Sequence, residues 1–78
     1  MKAKYCHMDN DCLIYDQVIC EDNIVTTVRT YCAVWFSKKP ETKTKVCLTN
    51  AEARHMFFEY CNKLEKDNYE CIYKEVTQ

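Results

Sequence analysis

The sequence predicts a small α+β protein: a single-layer antiparallel sheet of four to five strands with one amphipathic helix packed on one face, in the order β-β-β-(β)-α-β. Three observations carry that prediction. Residues 12–37 are rich in alternating β-branched and aromatic side chains. A helical stripe runs between Leu48 and Asn68. The polar breaks between segments are short, which favours antiparallel pairing of successive strands. With 78 residues there is room for one core, so residues 1–78 are expected to form a single domain.

Taken in order, Ala3 to Met8 offers a short first strand, and without it the order shortens to β-β-β-α-β. Cys12 to Cys20 and Ile24 to Ser37 then flank Glu21-Asp22-Asn23, which reads as a three-residue hairpin turn built on Asp and Asn. That register sets Cys20 opposite Ile24, Val18 opposite Thr26, Ile14 opposite Thr30 and Cys12 opposite Cys32. One face then holds Cys12, Ile14, Val18 and Cys20 with Ile24, Val28, Cys32, Val34 and Phe36, interrupted by Asp16. The other holds Leu13, Tyr15, Ile19, Val25, Arg29, Tyr31 and Trp35. A slip of one residue would exchange these faces.

Ser37 to Thr42 is a polar loop containing the chain's single proline, Pro40. Lys43 to Leu48 alternates as a half-buried strand leading into the helix. Thr49-Asn50-Ala51-Glu52 has the form of a capping box, with Leu48 placed for a hydrophobic staple. Ala53, Met56, Phe57, Tyr60, Cys61 and Leu64 form the buried stripe, and Glu59 and Lys63 are spaced for an exposed ion pair. Lys63 and Lys66 suit the negative end of the helix dipole, and Asp67-Asn68 supplies the stop. Tyr69 to Val76 alternates again as a last strand.

Composition narrows the chemistry. Glycine is absent altogether, which excludes Gly-dependent phosphate cradles of the Walker and dinucleotide type. Eleven Lys and Arg against twelve Asp and Glu leave a net charge of −1, so the whole chain carries no strong field. The charges are segregated: residues 9–22 hold five acids and no base, whereas residues 23–50 hold five bases and one acid. No apolar leader or transmembrane run is present in these residues, so a cytoplasmic protein without membrane contact is expected.

Seven cysteines are separated by 6, 8, 12, 15, 14 and 10 positions, with no Cys-x-x-Cys. An even scatter over strands and helix suits reduced, core-filling thiols, with Cys20, Cys32 and Cys61 on core faces. Cys12 and Cys32 make the sharpest disulfide pair, and Cys6, His7 and Cys12 the nearest approach to a zinc ligand set. No cofactor is expected. Catalysis finds little footing: the histidines are His7 and His55, the latter off the helical stripe, and the one serine is Ser37 in a loop.

One helix covers one sheet face, so the second face, with Leu13, Tyr15, Ile19, Tyr31 and Trp35, is left open. Large apolar and aromatic side chains on an uncovered face mark an interface. The expected partner-binding residues are Tyr15, Arg29, Tyr31, Trp35, Lys43, Lys45 and Phe58. The expected function is a non-catalytic protein-binding module, an inhibitor or adaptor acting on a larger protein. One form of it would be a phage or mobile-element inhibitor of a host defence enzyme, anti-CRISPR-like, working in the host cytoplasm. A homodimer through the open face is the structural version of the same reading. The alternatives are a nucleic-acid-binding sheet, with Lys43 and Lys45 beside Arg29, Tyr31 and Trp35, and a cysteine-rich zinc-binding protein.

Overall fold

The computed structural model describes residues 1–33 and 38–76, so Val34, Trp35, Phe36 and Ser37 lie outside the described residues. Five strands and one helix follow one another as β1 (Lys2–Asp9), β2 (Cys12–Glu21), β3 (Ile24–Cys32), β4 (Glu41–Val46), α1 (Asn50–Lys66) and β5 (Glu70–Glu75). All neighbours pair antiparallel in one open sheet of order β4-β3-β2-β1-β5. The small α+β class and the antiparallel sheet are as the pattern predicts. The first strand is a full element, paired on both sides.

The turns explain how a chain without glycine makes such tight hairpins. Asn10 and Asp11 both sit in the left-handed region, at φ 48° and 65°, and join β1 to β2 with Asp9 opposite Cys12. That is the backbone of a type I′ turn, whose handedness matches the twist of the strands. Asn and Asp enter this region at lower cost than other side chains because they hydrogen-bond locally. Between β2 and β3 the loop is Asp22-Asn23, with Asp22 at φ 53°. Asn23 also fastens the approach to the helix: its side-chain amide donates to the Cys47 carbonyl at 2.8 Å, and its own carbonyl accepts from the Cys47 amide at 2.7 Å.

This two-residue loop corrects the expected register. Glu21 remains in the ladder opposite Ile24, so Cys20 faces Val25, Val18 faces Thr27, Ile14 faces Tyr31 and Leu13 faces Cys32. Every β3 residue is therefore on the side opposite to that expected. Val25, at 2% exposure, is core; Ile24, Val28 and Cys32 are on the open side. Cys12 and Cys32 project to opposite sides, which removes the expected disulfide pair, and all seven cysteines are free. Cys12, Cys20, Cys47 and Cys61 are buried, whereas Cys32 is exposed rather than on a core face.

Helix α1 begins at the expected Thr49 cap, with the Glu52 side chain reaching back one residue further, to Leu48, than a capping box requires. The Glu52 amide donates to the Thr49 hydroxyl at 3.1 Å, and the Glu52 carboxylate accepts from the Leu48 amide at 3.3 Å. Leu48 is 93% exposed, so the expected staple is not formed. At the other end, Asp67, Asn68 and Tyr69 donate their amides to the carbonyls of Lys63, Glu65 and Leu64, with Asn68 at φ 65°. That closes the helix in the manner usually left to glycine. Glu59 makes its side-chain contact with the His55 imidazole, at 2.7 Å, instead of with Lys63.

The core lies between α1 and one sheet face. Ala53, Phe57 and Cys61 form a narrow ridge at four-residue spacing, set against Ala3, Tyr5, Val18, Cys20 and Val25, with Cys47 closing one end. Tyr5 is fully buried, and its hydroxyl donates to Glu65 at 2.9 Å near the helix C-terminus. This lets a large ring fill the core without stranding its polar tip.

Candidate functional site

Side-chain alternation divides the sheet into a helix side and an open side. On the helix side, rows run across the strands as Lys45-Val25-Cys20, Lys43-Thr27-Val18-Ala3, Glu41-Arg29-Asp16-Tyr5 and Tyr31-Ile14-His7. On the open side they run as Val46-Ile24-Glu21, Thr44-Thr26-Ile19-Lys2, Thr42-Val28-Gln17-Lys4, Thr30-Tyr15-Cys6 and Cys32-Leu13-Met8.

The expected partner-binding residues are thereby separated. Tyr15 is on the open face, with the Lys4 ammonium 4.9 Å from its ring centroid. Arg29, Tyr31, Lys43 and Lys45 do share one face, yet it is the helix side, because the hairpin loop is one residue shorter than expected. Phe58 is 37% exposed on the helix, edge-on to Phe57, with the Lys74 ammonium 5.8 Å from its ring centroid. Trp35 lies outside the described residues.

The open face over β2, β3 and β4 has a distinctive chemistry. Leu13, Tyr15, Ile19, Ile24, Val28 and Val46 supply its apolar surface, and Thr26, Thr30, Thr42, Thr44, Gln17 and Cys32 its neutral polar groups. Its one charged side chain is Glu21, at the end beside Ile24 and Val46. Ile24 and Val46 face each other across β3 and β4 at 39% and 66% exposure. Among the described strand residues of this face, lysines appear only on β1, where Lys2 pairs with Glu75 at 3.8 Å and Lys4 is drawn over Tyr15. Gln17 reaches over that strand to donate to the Tyr73 hydroxyl at 2.8 Å, which holds the polar border of the patch in place.

The cations of β3 and β4 are instead interleaved with acids on the helix side. Asp16, at 8% exposure, accepts from Arg29 Nε at 2.8 Å and Nη2 at 3.0 Å. The Asp16 contact raises the guanidinium further above its ordinary value, so its charge is permanent. Lys38 pairs with Glu41 at 2.8 Å, which raises the lysine and lowers the carboxylate. Its ammonium also lies 4.6 Å from the Tyr31 ring centroid.

The alternative zinc set is not brought together. Cys6 is on the open face, whereas His7 stacks on Tyr69 on the helix side at 4.8 Å and Cys12 is buried on that side. Among the described residues no three His, Cys, Asp or Glu side chains gather as a metal ion requires. No helix among them is long and apolar enough to cross a membrane. The patch missed by sequence reasoning is the β3–β4 part of the open face. Its signal was present in Thr26, Val28, Thr42 and Thr44, but only the correct turn length aligns them. Set beside protein-family models, curated proteins and solved structures, the chain matches none.

Proposed function

We propose that this protein is a non-catalytic binding module that docks on a larger protein through the open face of its sheet. The supporting observation is the broad patch over β2–β4 with one charged side chain, at its end. Interface centres are depleted of charge and carry aliphatic and aromatic groups, whereas a solvated sheet face is normally studded with Lys and Glu. Inhibitor or adaptor is the form of binding we favour, and a phage or mobile-element inhibitor of a host defence enzyme is one instance. That finer step rests on small size and the absence of recognisable catalytic motifs alone. A nucleic-acid role has less support, because Lys43 and Lys45 lie opposite Thr27 and Val25 on the side that also carries Asp16 and Glu41, with Glu41 opposite Arg29.

The test uses Val28→Lys and Ile19→Lys on the patch, with Arg54→Glu on the outer helix surface as the control. Thermal unfolding of the purified proteins checks that all three remain folded. The expected result is that both patch variants lose the partner that wild type captures from native extract, while Arg54→Glu retains it. Sedimentation tells whether the partner is a second copy of the chain. Undiminished capture by folded Val28→Lys and Ile19→Lys would overturn the proposal.

A further inference from the structure

Helix α1 packs over β2 and β3. A cleft of about 350 Å³ opens between its last turns and the β3–β4 side of the sheet. Asp16, Val18, Thr27 and Arg29 form its floor, and Lys43 of β4 stands on one wall. Tyr60, Lys63 and Leu64 of α1 supply the other wall, with Tyr69 beyond them.

The floor is built in an unusual way. On this side β2 contributes Cys12, Ile14, Val18 and Cys20, and the series is broken by one carboxylate, Asp16. An apolar residue there would avoid a desolvation cost that ion pairing seldom recovers, so the pair is poorly explained by stability. What it does achieve is geometric. Two contacts of 2.8 and 3.0 Å fix the plane of the Arg29 guanidinium, which is still 40% exposed. An arginine held this way loses little freedom when it meets an anion.

The surrounding charges leave cations available. Glu41 and Asp67 also line the cleft, but Glu41 is committed to Lys38 at 2.8 Å and Asp67 is exposed to solvent. The carbonyls of Lys63, Leu64 and Glu65 at the helix end already accept backbone amides, so they are not left as bare acceptors beside the cleft. Arg29, Lys43 and Lys63 therefore converge from three elements on one cavity that Asp16, Glu41 and Asp67 also line, with Tyr60, Tyr69, Leu64 and Val18 as its apolar and aromatic surface.

We infer that the cleft is a receptor for a small organic anion, its carboxylate or phosphate group held by Arg29, Lys43 and Lys63 and its apolar or aromatic body lying on Tyr60, Tyr69 and Leu64. The cavity volume is in the range of small-molecule sites. Asp16 is a positioning residue: it acts through Arg29 and touches no ligand. The cleft is on the opposite side of the sheet from the protein-docking patch, so each proposal can fail while the other stands.

Titrating the folded protein with benzoate, phenyl phosphate and inorganic phosphate, and following backbone amide resonances, tests the inference. Saturable shifts should be confined to Thr27, Arg29, Lys43, Leu64 and Tyr69, and phenyl phosphate should outbind inorganic phosphate because it adds a ring. Saturation by benzoate or phenyl phosphate, singly or together, supports the site and assigns its head-group preference. Lys43→Glu should weaken the better ligand by at least about tenfold, whereas Lys45→Glu, on the same side of β4 but outside the cleft, should not. Asp16→Asn should lower affinity in the folded protein, with partial recovery in Asp16→Glu. Overturning results are the absence of saturation with both benzoate and phenyl phosphate, whatever inorganic phosphate does, or equal losses in Lys43→Glu and Lys45→Glu, which would mean diffuse attraction to lysine. If Asp16→Asn lowers only the melting temperature and leaves affinity intact, the positioning role is overturned.

Discussion

The phenol of Tyr5 and the thiol of Cys61 meet at the centre of the core, and both are held in their neutral forms. Burial is the leading cause for each, and it pushes Tyr5 far above the ordinary phenol value and Cys61 above the ordinary thiol value. Tyr69 is raised for the same reason. A group whose folded value exceeds its unfolded one contributes stability that is complete below the unfolded value and is lost as pH rises toward the folded one. Stability should therefore hold until the pH passes 9.0 for the thiol and 10.0 for the phenols, and then decline. The decline is about 1.4 kcal/mol per pH unit for each group in play. Urea midpoints measured across that alkaline range should show the fall, and Tyr5→Phe should shrink it. A Tyr5→Phe protein with an unchanged alkaline slope would remove the phenol from this account.

At the scale of elements, the hairpin turns decide more than their length suggests. Asn10-Asp11 occupies a type I′ backbone with Asp at φ 65°, a position better suited to glycine. Asp11→Gly should raise stability by about 0.5 kcal/mol, since relief at positive φ exceeds the entropy that glycine adds to the unfolded chain. A rise in the chemical denaturation midpoint with unchanged slope would show it, and a fall would mean that the Asp11 side chain makes a local contact worth more than the strain. The same lack of glycine hid the β2–β3 turn from the sequence. Glu21, Asp22 and Asn23 are all polar, and nothing among them marks which two leave the ladder; assigning all three to the loop reversed every β3 residue. The helix was legible almost to its ends, because a capping box, a stripe and a left-handed stop residue all agree there. Its staple was not, since Leu48 has the right spacing but the chain at Cys47 is held toward Asn23. For the proposed surfaces, the sequence showed which residue types alternate along each strand but not which side of the sheet they take. Arg29, Tyr31, Lys43 and Lys45 share one face, the helix side, whereas Tyr15, expected beside Arg29 and Tyr31, is on the open side.

For the whole molecule, the strand order makes stability uneven. β1 and β2 each have a partner on both sides and supply Ala3, Tyr5, Val18 and Cys20 to the core, whereas all six residues of edge strand β4 are exposed. Native-state hydrogen exchange should therefore find the slowest amides in β1 and β2 and the fastest strand amides in β4. Uniform protection across the five strands would contradict this gradient. The interior place of β1 was not readable locally, because its second neighbour, β5, is the last element in sequence and only the assembled sheet brings them together. β4 carries Glu41, Lys43 and Lys45 along its helix side, a charged edge that discourages a further strand from adding to the sheet.

The glycine-free turns also bear on how the protein ages chemically. Spontaneous loss of ammonia from asparagine proceeds through a succinimide ring and is fastest where the next residue is glycine, whose amide nitrogen is unhindered. Here the asparagines at or beside left-handed turn positions, Asn10, Asn23 and Asn68, are followed by Asp11, Ile24 and Tyr69. Each following side chain crowds the attacking nitrogen. The chain thus makes tight turns without Asn-Gly, the sequence that serves them best and degrades soonest, and trades a little conformational ease for a longer covalent lifetime.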